Sequence, residues 1–267
     1  MKTIIKYTIL TASRDLLFIG LCAVILMAYG FSVFVGNTAL VEQGQMSMAY
    51  FAGSSRIIIV TGLIVFVCFH VRRSFDNREV ESILSKPISR SRFVIAYWLG
   101  FCFLAFVSIV PIILIISIFF MPGLIGMNLV SPAEHWLGLL AWSGSLAMEI
   151  SIIVAFAMLA SLIMKSAVSS VLSSFCFYLI SRLMGFFIAT MEAPNAMMGA
   201  GKYGHVLEFI LEKVAYVLPR LDLFAKSKWI IYGVSGQEDL WVFPVQSIVF
   251  ILLLLSVSVY DFKRKQF

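Results

Sequence analysis

Two ionisable residues, Glu149 and Arg182, stand deep inside long apolar runs. Each costs about 2.5–3.5 kcal/mol at the middle of a membrane helix on insertion scales. They flank Lys165 almost symmetrically, one before it and one after. In two antiparallel helices joined by a tight turn at Lys165 they reach equal depth, about 24 to 26 Å along the axes. The spacing predicts an intramembrane salt bridge that locks the two helices together. The alternative is a polar spot on a substrate path or a proton-carrying carboxylate. The one stretch that looks like a phosphate loop, "GAGKYG" at 199–204, fails the G-x-x-x-x-G-K-[ST] pattern twice. Ala196 stands where its first Gly belongs, and Tyr203 replaces the hydroxyl that would hold magnesium. His135 and His205 have no Cys or His at metal spacing, and His70 reads as an interface residue beside Arg72 and Arg73. The four cysteines, Cys22, Cys68, Cys102 and Cys176, lie far apart inside apolar runs and read as small buried hydrophobes. No catalytic residue, cofactor site or metal site is expected in this chain.

The elements that must position such charges follow from composition. The 267 residues are 61% hydrophobic and 13% charged, with a mean hydropathy of +1.00. Ordinary soluble domains are about 45–50% apolar, so the chain belongs in a bilayer. The net charge of +6 arises from Lys and Arg that flank apolar runs and form no basic, aromatic-interleaved face, which argues against nucleic-acid binding. A helix needs about 20 apolar residues to cross a hydrocarbon core about 30 Å thick. That ruler predicts an all-α polytopic protein, a single transmembrane domain over 1–267, with transmembrane helices over 16–36, 50–71, 93–120, 137–163, 167–190 and 241–260. The first run has no cleavage pattern soon after it and is read as a retained helix. The second reaches full length only by continuing through Arg56, whose side chain is expected to snorkel to the outer surface. Pro111 is expected to kink the third helix, and Pro122, Gly123, Gly126 and Pro132 to mark a turn-rich outer loop.

Orientation follows from Lys and Arg at the span ends. Lys2, Lys6 and Arg14, then Arg72, Arg73, Arg78, Lys86, Arg90 and Arg92, then Lys165, and last Lys263, Arg264 and Lys265 share one side when the span count is even. Both termini and the loop over 72–92 are therefore expected to be cytoplasmic. Residues 1–15 place Ile5, Ile9 and Ala12 opposite Lys2, Lys6 and Ser13, the pattern of an interfacial amphipathic helix. In the outer segment, 191–240, Val206, Leu207, Ile210, Leu211, Val214, Val217 and Leu218 share a helical face and Pro219 closes it. This predicts a second amphipathic helix, at or dipping into the outer interface, or a soluble cap helix on the bundle.

The densest polar stretch is "REVESILSKPISRSR", 78–92. Val80, Ile83 and Leu84 recur at helical spacing while Arg78, Glu79, Ser82 and Lys86 point elsewhere, and Pro87 ends the pattern. An ordinary cytoplasmic loop needs Lys and Arg but neither Glu79 and Glu81 nor an apolar stripe. Mixed charge with such a stripe suits a helix docked in another protein's groove.

"REVESILSKPISRSRFVIAYWLGF" resembles the loop between the second and third spans in permease subunits of ATP-binding-cassette exporters of the small six-helix class. "YVLPRLDLF", 216–224, is similar to the Leu-Pro-x-Leu stretch that many of these permeases carry before their last span. The resemblance implies that 78–92 is a coupling helix, with Arg78, Glu79, Glu81, Ile83, Leu84, Pro87, Ser89 and Arg90 gripping a separate cytoplasmic ATPase. It further implies two permease chains with two ATPase chains, ATP and magnesium held only in the ATPase, membrane lipid around the pair, the plasma (inner) membrane of a bacterium, and export of a hydrophobic or amphipathic substrate. Two other classes compete: an ion-coupled secondary carrier acting through Glu149, and a membrane anchor or assembly factor without transport. Secondary carriers usually show internal repeats with matched broken helices, and neither is visible here.

Overall fold

The computed structural model describes residues 16–40, 42–77, 89–126, 131–192, 218–234 and 241–264. Among the described residues there are helices and turns and no strand. The helices are α1 (Leu16–Thr38), α2 (Gln43–Asp76), α3 (Arg90–Ile115), α4 (Met121–Gly126), α5 (Pro132–Ile163), α6 (Ala167–Glu192), α7 (Lys228–Tyr232) and α8 (Val242–Arg264). A π turn, Ile116–Phe120, joins α3 to α4 in one continuous helix, and a 3-10 turn, Leu221–Leu223, precedes α7. Six of these helices are long and apolar enough to cross a membrane. The protein is an all-α polytopic membrane protein.

The helices overrun the expected spans because the apolar ruler measures hydrocarbon thickness, whereas a helix ends only where its backbone groups find other partners. α2 has 34 residues and begins at Gln43. The third expected span, 93–120, runs instead from Arg90 to Gly126, so Pro122, Gly123 and Gly126 lie in helix and not in a loop. Proline clashes with the carbonyl four residues back in a regular α-helix; the wider π turn immediately before Pro122 relieves that contact. Pro132 is likewise helical, at the first turn of α5, where its missing N–H costs nothing. Ser131 caps it: its Oγ accepts from the Glu134 N–H at 3.4 Å, and the Glu134 carboxylate accepts from the Ser131 N–H at 3.2 Å.

α5 is the central helix, packed on α2, α3, α6, α7 and α8. Its most apolar stretch is 72% buried against 17% for α1, so a group shielded from lipid belongs on α5. Residues 164–166 turn the chain into α6. Nearby, Arg90 donates to the carbonyls of Phe262 and Lys263 at 3.4 and 3.1 Å, supplying donors to the open C-terminus of α8. Phe262 is fully buried, with its ring centroid 5.4 Å from Phe93 and 6.3 Å from Phe75. The ends of α2, α3 and α8 thus meet at one end of the bundle, which also carries Arg72, Arg73, Arg92, Lys263 and Arg264; we call it the basic end.

Candidate functional site

At the opposite end the chain re-enters the bundle. Gly233 lies against Glu134 near the start of α5, and the Ile230 carbonyl lies 2.8 Å from His135 Nδ1. Deeper, the Ala225 N–H donates to Ser145 Oγ at 3.0 Å, and that hydroxyl donates on to the Trp142 carbonyl at 3.0 Å. Ser145 and Arg56 each lie about 20 Å along their helices from the ends that face this side. Two glycines make room. A Cβ at Gly138 would overlap the Trp229 carbonyl, and one at Gly185 would overlap the Asp222 carboxylate. Leu221, Phe224, Trp229 and Ile230 are each at most 1% exposed. Tyr232 Oη fastens the rim, donating to Gln45 Oε1 at 2.6 Å.

Non-helical backbone at this depth needs donors for its carbonyls, because lipid offers none. Two arginines supply them. Arg182 Nη1 donates to the carbonyl of Leu221 and, at 3.1 Å, to that of Phe224. Arg56 Nη1 donates to the carbonyl of Ala225 at 2.9 Å, with that of Phe224 at 3.5 Å. Arg56 therefore does not snorkel outward: it turns inward to the backbone of the returning segment. Ala225 itself adopts a left-handed conformation, with φ of 47°, which is unfavourable for a residue with a Cβ.

Glu149 provides the countercharge. It is completely buried and stands in the field of both Arg56 and Arg182. The predicted partners Glu149 and Arg182 are brought together, with Oε1 3.9 Å from Nη1, beyond hydrogen-bond reach. Neither Glu149 oxygen has a hydrogen-bond partner. Sequence reasoning found this pair but missed what else Arg182 holds. Tyr178 and Ser181, a turn apart on the buried face of α6, are at most 2% exposed. The Tyr178 hydroxyl stands beside Arg56 and in the field of Glu149 without a well-formed hydrogen bond, and Ser181 Oγ has none. Arg220 pairs with Asp222 at 3.1 Å on the returning limb.

The coupling residues divide. Ser89 and Arg90 lie at the start of α3 on the basic end, Ser89 as N-cap residue and Arg90 against the end of α8. Arg78, Glu79, Glu81, Ile83, Leu84 and Pro87 lie outside the described residues, as do 1–15 and the 206–217 part of the expected outer amphipathic helix. His70 stacks on Phe66, with ring centroids 5.4 Å apart, and meets Phe101 edge-on at 5.6 Å. Among the described residues no group of three His, Cys, Asp or Glu is placed to hold a metal ion, and the four cysteines form no disulfide.

Fold and site together define a class, a polytopic helical membrane protein with a charged cluster anchoring a re-entrant segment. No family model matches the chain, and no curated protein is significantly similar to it.

Proposed function

We propose that the chain is the membrane-spanning permease subunit of an ATP-driven exporter, powered by a separate cytoplasmic ATPase docked on the loop over 78–92. The observation that carries this reading is the stretch from Arg78 to Phe101, where an apolar stripe with interspersed Glu79 and Glu81 leads through Pro87 straight into a span. The architecture supports it in three ways. Six helices long and apolar enough to span give the even count that a shared side for the loop and both chain ends requires. Both stems of the loop, at Asp76 and Arg90, belong to long helices packed on central α5, so force applied at the loop reaches the core. Arg90 also ties that stem to the end of α8.

The expected unit is two permease chains with two ATPase chains, working in the plasma membrane of a bacterium on a hydrophobic or amphipathic substrate. ATP and magnesium belong to the ATPase. Co-expression with a candidate P-loop ATPase tests the reading: the two should co-purify, and reversing Glu79 and Glu81 to Lys should abolish the complex while the permease stays folded. A complex that survives the reversal contradicts it. The completely buried Glu149 favours a second reading, an ion-coupled carrier. Uptake driven by an ion gradient in vesicles containing this chain alone would support that instead.

A further inference from the structure

We infer that residues 221–232 form a detachable plug, and that Arg56 and Arg182 exchange partners between its backbone carbonyls and the Glu149 carboxylate as it leaves and returns. The inference uses neither the loop over 78–88 nor any ATPase.

Three observations carry it. The first is a conflict of hydrogen bonding. The carbonyls of Leu221, Phe224 and Ala225 accept from Nη1 of both arginines, while Glu149, completely buried a few ångströms away, keeps both oxygens unpartnered and Arg56 Nε is unpartnered too. Carbonyls and carboxylate compete for the same two guanidiniums, and a buried carboxylate without hydrogen bonds is unfavourable. Seated, the plug is satisfied at the carboxylate's expense; withdrawn, it frees both arginines to close on Glu149. Two discrete arrangements of one packed cluster are what a switch requires.

The second observation is how the plug is held. Besides the two arginines, its polar contacts to the helices are individual side-chain bonds, Ser145 to the Ala225 N–H, His135 to the Ile230 carbonyl and Gln45 to Tyr232, alongside the packing of Phe224 and Trp229 on Phe243 of α8. All of them break without opening a helical ladder. The left-handed backbone at Ala225 also opposes the seated form.

The third is the seat. Gly138 on α5 and Gly185 on α6 leave recesses where the plug's Trp229 carbonyl and Asp222 carboxylate fit. Those recesses belong to regular helices and persist when the plug is out.

The test replaces the four native cysteines, introduces Ala225→Cys, and follows labelling by a charged maleimide in nanodiscs, where both faces are accessible. Partner exchange predicts effects of opposite sign. Arg182→Gln should speed labelling about tenfold or more, whereas Glu149→Gln, which strips the competitor of its charge and leaves only a weaker neutral acceptor, should slow it severalfold. If both substitutions speed labelling, Glu149 is only a static countercharge and the inference fails; an unchanged rate in Glu149→Gln also overturns it. Should Glu149→Gln not fold, amide hydrogen exchange of the unsubstituted chain decides. Residues 221–232 should exchange as one unit at least about tenfold faster than the 150–155 part of α5. Exchange at the same slow rate contradicts a detachable plug.

Discussion

Arg182 does two things at once, and its two roles call for different chemistry. As the partner of Glu149 it needs only positive charge at 3.9 Å; as donor to the carbonyls of Leu221 and Phe224 it needs hydrogens in a planar fork. Swapping the pair, Glu149→Arg with Arg182→Glu, preserves the first and destroys the second, since a carboxylate at 182 faces carbonyl oxygens. A simple helix lock would be restored by the swap. Here the swapped chain should unfold at a lower temperature than either the parent or Arg182→Lys in a thermal unfolding assay. Losing these charged donors from buried carbonyls costs about 1–3 kcal/mol. Ala225 offers the converse case: Ala225→Gly removes the steric penalty at φ of 47°, while Ala225→Val worsens it. The Val variant should be the less stable by more than about 1 kcal/mol in the same assay.

At the scale of elements, the re-entrant segment is positioned by what the helices lack. Gly138→Ala should force Trp229 from its seat and cost about 1–3 kcal/mol as an overpacked contact. Gly144→Ala, on the same helix with open space around its Cβ position, should leave the unfolding temperature within error of the parent. The six spans were legible because hydrocarbon thickness sets one apolar length. Their ends were not: Ser131 with Glu134 makes a capping box that recasts Pro132 from loop signal to helix start, and the π turn carries the third helix past Pro122. Glu149 and Arg182 were legible because a charge inside an apolar run stands out and helix spacing fixes its depth. The re-entrant segment was not, since Arg220, Asp222, Lys226 and Lys228 give it the composition of a surface loop. Its one advance sign was Arg56, a charge within a span that needed a partner no nearby residue in the sequence supplies. That partner is backbone far along the chain, and periodicity carries no information about which distant carbonyls fold against a given helix.

For the whole molecule, the arrangement separates two ends. One holds the charged cluster and the re-entrant segment; the other gathers Arg72, Arg73, Arg90, Arg92, Lys263 and Arg264 around the stems of the loop over 78–88. Central α5, buried along most of its length, connects them. In the proposed exporter the motor grips the basic end, and its work reaches the far side through α2, α3 and α5. The account therefore stands on the side of the membrane that the loop faces. A chain with Cys22, Cys68, Cys102 and Cys176 replaced and Ser85→Cys introduced, expressed in sealed bacterial cells, tests this with a membrane-impermeant thiol reagent. Position 85 should stay unlabelled in intact cells and react fully once the membrane is opened; full labelling in intact cells would contradict the proposal.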